Sequence, residues 1–300
     1  MSLDHMLLDP ASCGEDLLHN AARFGELAPL HCSGCADYHI RSAVHRCAGP
    51  PKSVFDRPEL IQIIRKAIAE VLGRKEGAIE IVMPGCADTA VLATAAHAAA
   101  TLGSEALGRC RFRVLDRCRT PLTVCAEFAV RHGLDFRAHH SDLASASLPM
   151  HADLIVVHSL FRFIPHADQV RLLDRLGDWL SPGGRLVFSN RILLDDRRAE
   201  SEAEARKRTA ANKAALEALA KGILRMSETA EALGERLERA KHDSRERPGE
   251  FRSLAEVRAL FRKSRLTEIS AQSLVWRFAI GPDDVLERRR VLAVLERSHD

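Results

Sequence analysis

ADLIVVHSLFRFIPHADQVRLLDRLGDWLSPGGRLVFSNRI, residues 152–192, is the stretch whose reading decides the fold. Asp153 to Val157 is a short apolar run rich in β-branched residues, the composition of a strand buried on both faces. From Ala167 to Leu180 the residues Val170, Leu173, Leu176, Trp179 and Leu180 recur at helical spacing, which predicts an amphipathic helix. Pro182-Gly183-Gly184 ends that helix, because proline cannot continue it and glycine supplies the turn. Arg185 to Ser189 reads as a second strand. Strand, crossover helix and strand make a βαβ unit, whose crossover is right-handed by the usual chirality rule.

The phrase LSPGGRLV, Leu180 to Val187, spaced after the ADLIVVHSLFRFI strand and loop, carries a family resemblance. It resembles the fourth strand, following helix and fifth strand of class I S-adenosylmethionine-dependent methyltransferases. The resemblance spans residues 76–192, and more weakly 250–281. It implies a doubly wound, seven-stranded, Rossmann-like α/β sheet with an antiparallel last strand. It also implies S-adenosyl-L-methionine as cofactor, leaving as S-adenosylhomocysteine after transfer of its methyl group.

Working towards the N-terminus, Ile79 to Met83 is a first strand, and Thr89 to Leu102 is an alanine-rich helix. Between them Pro84-Gly85-Cys86-Ala87-Asp88 sets a helix N-terminus against any bound ligand. In the resembled family this loop carries an acid and several glycines that let the backbone approach the methionine part of the cofactor. Here only Gly85 is kept. Met83 stands where the acid is expected, Ala87 and Thr89 stand where glycines are common, and Asp88 is the candidate replacement acid.

Arg111 to Leu115 is a second strand ending in Asp116, about thirty residues after the glycine loop. An acid there can accept hydrogen bonds from both ribose hydroxyls, which is also what the resemblance implies; a turn aspartate is the alternative. Arg117 beside it is a candidate contact to the same ligand, and a helix starts here with Pro121 in its first turn. Gly133 to His139 carries a third strand, followed by Asp142 and Leu143. The resemblance implies that Asp142 holds the adenine amino group and Leu143 packs on the ring; a solvated loop aspartate is equally open. The fourth strand delivers His158 and Ser159 at its C-terminal end, where ligands bind in open α/β sheets. His158 is the candidate catalytic group, a general base, or else a polar cap on the next turn. Phe161, Arg162 and Phe163 line the adjoining wall.

Residues 1–75 read as an N-terminal helical cap. Its clearest helix is opened by Asp56 with Glu59 in a capping box, and Leu60, Ile63, Ile64, Ala67, Ile68 and Val71 form the apolar face up to Gly73. Tyr38, His39 and Arg41 are the polar groups able to reach down from the cap, Arg41 toward the methionine carboxylate; surface groups are the alternative. HCSGCADYHIRSAVHRC holds Cys32 and Cys35 in C-x-x-C spacing, with His45 and Cys47 behind. Zinc takes four such ligands in paired short spacings, and H-x-C is too tight for the second pair, so no metal is assigned. The thiols read instead as packing groups at a helix start.

Residues 195–249 read as a helical insertion, with Leu216, Leu219, Ile223, Met226, Ala230, Leu233 and Leu237 forming a heptad seam. Packing on its own domain, a lid over the substrate, and pairing into a homodimer all suit the seam; acidic residues match basic ones too closely for nucleic acid. The α/β core then comprises residues 76–194 and 250–300. In the latter part Ser253 and Glu256 cap a helix, Ser273 to Ile280 supplies the last strand, and Val285 to Arg297 closes as an amphipathic helix.

Composition narrows the partners. The apolar fraction is 46% and the net charge only +3, which gives no case for nucleic acid. No run of about 18 apolar residues predicts a membrane span. The start MSLDHMLLDPAS lacks a basic end followed by a long apolar run, so the sequence predicts a cytoplasmic protein whose eight cysteines are reduced. Helical attachments without an RNA-binding module suggest a small-molecule methyl acceptor. The rival is a protein that keeps the fold without the reaction, binding a nucleoside ligand or dimerising through the seam. A nicotinamide-dependent reductase is disfavoured, because the full G-x-G-x-x-G fingerprint is absent.

Overall fold

The computed structural model describes residues 23–24, 26–28, 30–32, 35, 38–39, 57–146, 151–193, 248–279 and 285–297. Arg41, His45, Cys47, the Asp56 cap and the heptad seam lie outside these residues. The described elements run α1 (Arg57–Leu72), β1 (Ile79–Pro84), α2 (Ala90–Ala100), α3 (Ser104–Gly108), β2 (Cys110–Asp116), α4 (Arg119–His132) and β3 (Asp135–His140). They continue with β4 (Ala152–His158), a 3-10 turn (Phe161–Phe163), α5 (His166–Trp179), β5 (Leu180–Ile192), α6 (Leu254–Lys263), β6 (Leu266–Ala279) and β7 (Val285–Arg297).

The seven strands form one sheet in the order β3-β2-β1-β4-β5-β7-β6. β1 to β5 are mutually parallel, and β7 runs antiparallel to both β5 and β6. This is the doubly wound α/β sheet with an antiparallel last strand that the sequence predicts. From β1 the chain winds outward through β2 to β3, then returns to β4 on the other side. The switch in direction opens a crevice beyond the carboxyl ends of β1 and β4, the place where such sheets bind ligands.

Alternation along the strands sorts the core into two layers. Ile79, Ile81, Met83, Phe112 and Val114 face one cluster, built with Leu60, Ile64 and Ile68 of α1, Leu92 and Ala96 of α2, and Phe128 of α4. Val82, Leu115, Ile155, Val157 and Phe188 face the other, built with Leu173 and Leu176 of α5 and Phe261 of α6. α1, grouped with the N-terminal cap on sequence, therefore packs on the sheet as a core helix. The alanines of α2 allow it to lie close: eight of its residues are buried. Ser253 caps α6 as predicted, accepting from the Glu256 N–H at 3.1 Å.

The C-terminal part departs from the sequence reading. Leu266–Ala279 is one long strand, with an irregularity in its ladder between Glu268 and Ser270. Val285–Arg297 is a strand, where the spacing of its apolar residues predicts a helix. VLAVLER suits either element by periodicity alone, a known ambiguity of short apolar runs. The slot between β5 and β6 decides: Val291, Leu292, Ala293 and Leu295 are buried, and the strand pairs on both edges.

The amino edge of the sheet is held by ion pairs. Asp153 takes Lys75 Nζ at 2.7 Å and the Glu80 N–H at 2.8 Å. Buried Arg113 on β2 pairs with Glu80 and Asp135 at 3.0 Å each, stitching β1, β2 and β3. Among the described residues no helix is long and apolar enough to cross a membrane.

Phe188 is fully buried and meets the rings of Phe161 at 5.1 Å, Phe261 at 5.3 Å and Phe251 at 6.4 Å. It joins β5 to the loop after β4, to α6 and to the segment preceding α6. Phe188→Ala is expected to lower the free energy of unfolding by about 3–5 kcal/mol, the usual cost of truncating a buried ring. Urea denaturation followed by circular dichroism checks this; a loss below about 1 kcal/mol would contradict the packing described.

Candidate functional site

β1 ends in a turn that only glycine fits. Gly85 has φ +70°, and its N–H donates to the Leu115 carbonyl at 2.8 Å. A Cβ there would lie 2.6 Å from Leu160 Cδ1 in the loop after β4. The chain can thus turn and pass close to the neighbouring loop at the same residue.

The next N–H, that of Cys86, donates to Asp116 Oδ2 at 2.9 Å, and the Cys118 N–H donates to Oδ1 at 2.7 Å. One carboxylate at the end of β2 therefore ties together the loops after β1 and β2. Burial pushes its carboxyl above the usual value of 3.8; the two backbone hydrogen bonds and the nearby His39 pull the other way without cancelling it. A carboxylate offers roughly four lone-pair positions. These two donors leave acceptor capacity for a ligand hydroxyl.

β4 ends in His158, and Ser159 follows with φ 57°. Ser159 is the only described non-glycine residue with positive φ. Such backbone costs free energy and gathers at functional sites. The Ser159 N–H donates to the Ser189 carbonyl on β5 at 2.7 Å, and Arg290 Nη1 on β7 donates to Ser159 Oγ at 2.8 Å and Ser189 Oγ at 3.1 Å. The sequence gives no hint of Arg290, because its segment reads as a helix on a different layer.

Asp88 is buried, and its Oδ1 accepts from the Ala90 N–H at 2.8 Å, holding the start of α2. Arg117 is exposed, and its carbonyl meets His140 Nε2 at 3.0 Å. Asp142 is exposed, with Oδ1 accepting from the Ala144 N–H at 2.8 Å in a local turn. Leu143 is half-buried against the cluster that holds Ile155 and Val157. Tyr38 sets its ring edge against Phe163 at 5.4 Å, so the N-terminal segment touches the loop after β4. The structure thus brings Gly85, Asp116, His158 and Ser159 to the carboxyl ends of three adjacent strands.

Beside Asp116 lies a cluster that the sequence reading did not assemble. Cys32, Cys35, His39 and Cys118 place their Sγ and ring nitrogen atoms all within 4.8 Å of one another. Burial works against charge on His39, but the neighbouring Cys118 and Cys35 outweigh it and push its pKa up to about 10. Hydrogen bonds from Cys32 and Cys35, with His39 nearby, hold the Cys118 thiol well below its usual value against the effect of burial. Cys118 also sits at the N-terminus of α4, where a helix favours a thiolate. The four ligands are not local in sequence: Cys118 lies 86 residues beyond Cys32.

No protein-family model matches the chain, and no curated protein matches it. The solved structures it is similar to include methyltransferases. One is the N-methyltransferase NodS from Bradyrhizobium japonicum WM9 in complex with S-adenosyl-L-homocysteine: 15% identity, 86% of this chain and 98% of that chain, TM-score 0.45. Another is an O-methyltransferase family protein from Burkholderia thailandensis: 12% identity, 87% and 60% of the two chains, TM-score 0.47. A third is the S-adenosylmethionine-dependent methyltransferase SibL in its apo form: 18% identity, 86% and 62%, TM-score 0.46.

Gly85→Ala is expected to cost about 1–2 kcal/mol, because the left-handed backbone penalises any Cβ. Adding Leu160→Ala relieves the close approach but not the backbone penalty, so the double variant should keep part of the loss. Thermal denaturation of the single and double variants checks this; an unchanged melting temperature in Gly85→Ala would count against the turn.

Proposed function

We propose that this chain is an S-adenosyl-L-methionine-dependent methyltransferase acting on a small-molecule acceptor. The observation that carries the reading is the position of Asp116. It is a partly buried carboxylate at the carboxyl end of β2, one strand from the sheet's switch point, and the Gly85 turn is hydrogen-bonded to it through the next residue. That location suits an acceptor for two ribose hydroxyls. Without a Cβ, Gly85 lets the turn pass against Leu160 in the loop after β4, which keeps the ends of β1 and β4 close together. In this reading Asp142 and Leu143 flank the adenine, Arg117 borders the ribose, and Asp88 organises the α2 N-terminus against the methionine end. Ser159 and Tyr38 border the pocket, with Arg41 contributing from the N-terminal segment.

When bound, S-adenosyl-L-methionine supplies a methyl group on a sulfonium, already activated for displacement. The protein's task is then mainly alignment, holding nucleophile, methyl carbon and sulfur in line and excluding water. His158, at the end of β4, would take the proton of an acceptor that is protonated at working pH. The chain preceding α1 would cap the site, and residues 195–249 would serve as its lid or as a dimerisation element.

A second reading has its own support. Met83 is buried where an acid is expected, and Asp88 holds Ala90, so the glycine loop is unlike that of the resembled family. A protein binding the nucleoside without transferring methyl would show the same Asp116 dependence but no turnover.

Isothermal titration calorimetry with S-adenosyl-L-methionine and S-adenosylhomocysteine tests the proposal. Asp116→Asn should weaken both by about 10- to 100-fold, the effect of losing hydrogen bonds to a charged acceptor worth about 1.5–3 kcal/mol. The pH dependence has a definite sign. The ionised carboxylate is the better acceptor, and its pKa lies above 3.8, so affinity should fall as pH drops through that raised value. Asp116→Asn should flatten the profile. No heat with either ligand at neutral pH would overturn the reading.

A further inference from the structure

We propose that Cys32, Cys35, His39 and Cys118 form a structural zinc centre that clamps the N-terminal segment onto the carboxyl end of β2. The donor set is three soft thiolates and one imidazole, a combination that selects zinc among the common divalent ions. A tetrahedral zinc with Zn–S about 2.3 Å and Zn–N about 2.0 Å places its sulfurs about 3.8 Å apart and its S···N pairs about 3.5 Å apart. Cys32 Sγ lies 3.6 Å from Cys118 Sγ and 3.5 Å from His39 Nδ1, and Cys35 Sγ lies 3.5 Å from the same Nδ1. These separations match the edges of such a tetrahedron. Four protein ligands close the coordination sphere, which is the mark of a structural rather than a catalytic zinc site.

The surroundings are built for the centre. His39 is buried, its ring stacked near Phe24 at 6.1 Å and met edge-on by Tyr38 at 5.5 Å, an arrangement that fixes its orientation. Thr120 Oγ1 lies 3.3 Å from Cys32 Sγ, so its hydroxyl can donate to a thiolate there. Such outer hydrogen bonds orient ligands and tune their basicity. C-x2-C-x3-H supplies three ligands from one short run, and Cys118 brings the fourth from the N-terminus of α4.

The consequence reaches the candidate site. Cys118 donates its N–H to Asp116 at 2.7 Å, so a metal holding its sulfur also fixes one of the two bonds that orient that carboxylate. Tyr38, next to His39, carries the clamp across to Phe163. The metal assignment itself does not depend on methyl transfer, and its test needs no nucleoside.

The full chain, purified under reducing conditions and dialysed against metal-free buffer, should retain about one zinc per chain by elemental analysis. Removal with a chelator and loading with Co2+ should give the visible bands of tetrahedral cobalt and a near-ultraviolet thiolate charge-transfer band, both abolished by added Zn2+. Cys35→Ser and Cys118→Ser should lose the metal. His39→Cys should keep it with a stronger charge-transfer band. Cys110→Ser, whose thiol instead donates to the Ala106 carbonyl, should behave like the unaltered chain. Should the ligand variants fail to fold, the cobalt spectrum of the unaltered chain still decides. The proposal is overturned if that spectrum is absent from reduced protein, or if metal content is indifferent to Cys35→Ser and Cys118→Ser. It is also overturned if non-reducing peptide mapping of the chain finds Cys32 joined to Cys118 in a disulfide in place of a metal.

Discussion

One carboxylate organises the functional edge of this protein. Asp116 accepts the N–H of Cys86 from the loop after β1 and the N–H of Cys118 from its own loop. Each donor is a backbone group that would otherwise need solvent in a crowded place. The bonds hold two neighbouring loops in register along one side of the crevice where the sheet reverses its winding. They also partly offset the cost of burying the carboxylate, which still leaves it easier to protonate than an exposed one. The group is held firmly by its frame, yet it retains acceptor capacity. Its place is fixed in turn by Val114 and Leu115, which anchor the end of β2 in opposite layers of the core.

Much of this arrangement is legible in the sequence. β1, β2, β4 and β5 show as short β-branched or apolar runs, whereas the edge strand β3 (DFRAHH) does not, and α5 carries a clear 3.6-residue stripe. Gly85, Asp116, His158 and Ser159 follow from strand ends, because parallel connectivity fixes which end of each strand faces the crevice. The C-terminal strands were harder to read. β7 is buried on both faces and both edges, so its sequence lost the polar alternation that marks a strand, and the pattern that remained mimicked a helix. Arg290 was hidden by that ambiguity. The thiol cluster was hidden by distance: its fourth member is brought in only when β2 and the N-terminal segment meet in space.

The two edges of the sheet have different chemistry. At the amino edge, Asp153, Glu80, Asp135 and Arg113 pair with one another or with Lys75, and charge is used to fasten strands. At the carboxyl edge the polar groups are held by backbone N–H donors or by Arg290, and the backbone adopts its one described left-handed non-glycine residue. Local strain and part-filled acceptors at one end are supported by closely packed apolar layers and by ion pairs at the other.

The position of β7 also has a consequence for the order of assembly. β6 leaves the ribosome first, yet its ladder partner is β7, which is made later and must enter a slot against β5. Until that entry β5 presents an open edge and β6 has no place in the sheet. Unpaired edges of that kind invite pairing with other chains. The final insertion joins segments separated by roughly a hundred residues, and contacts that distant in sequence form slowly. Until β7 is made, the nascent chain carries an unsealed sheet, and the open edge of β5 is where pairing with another chain is invited.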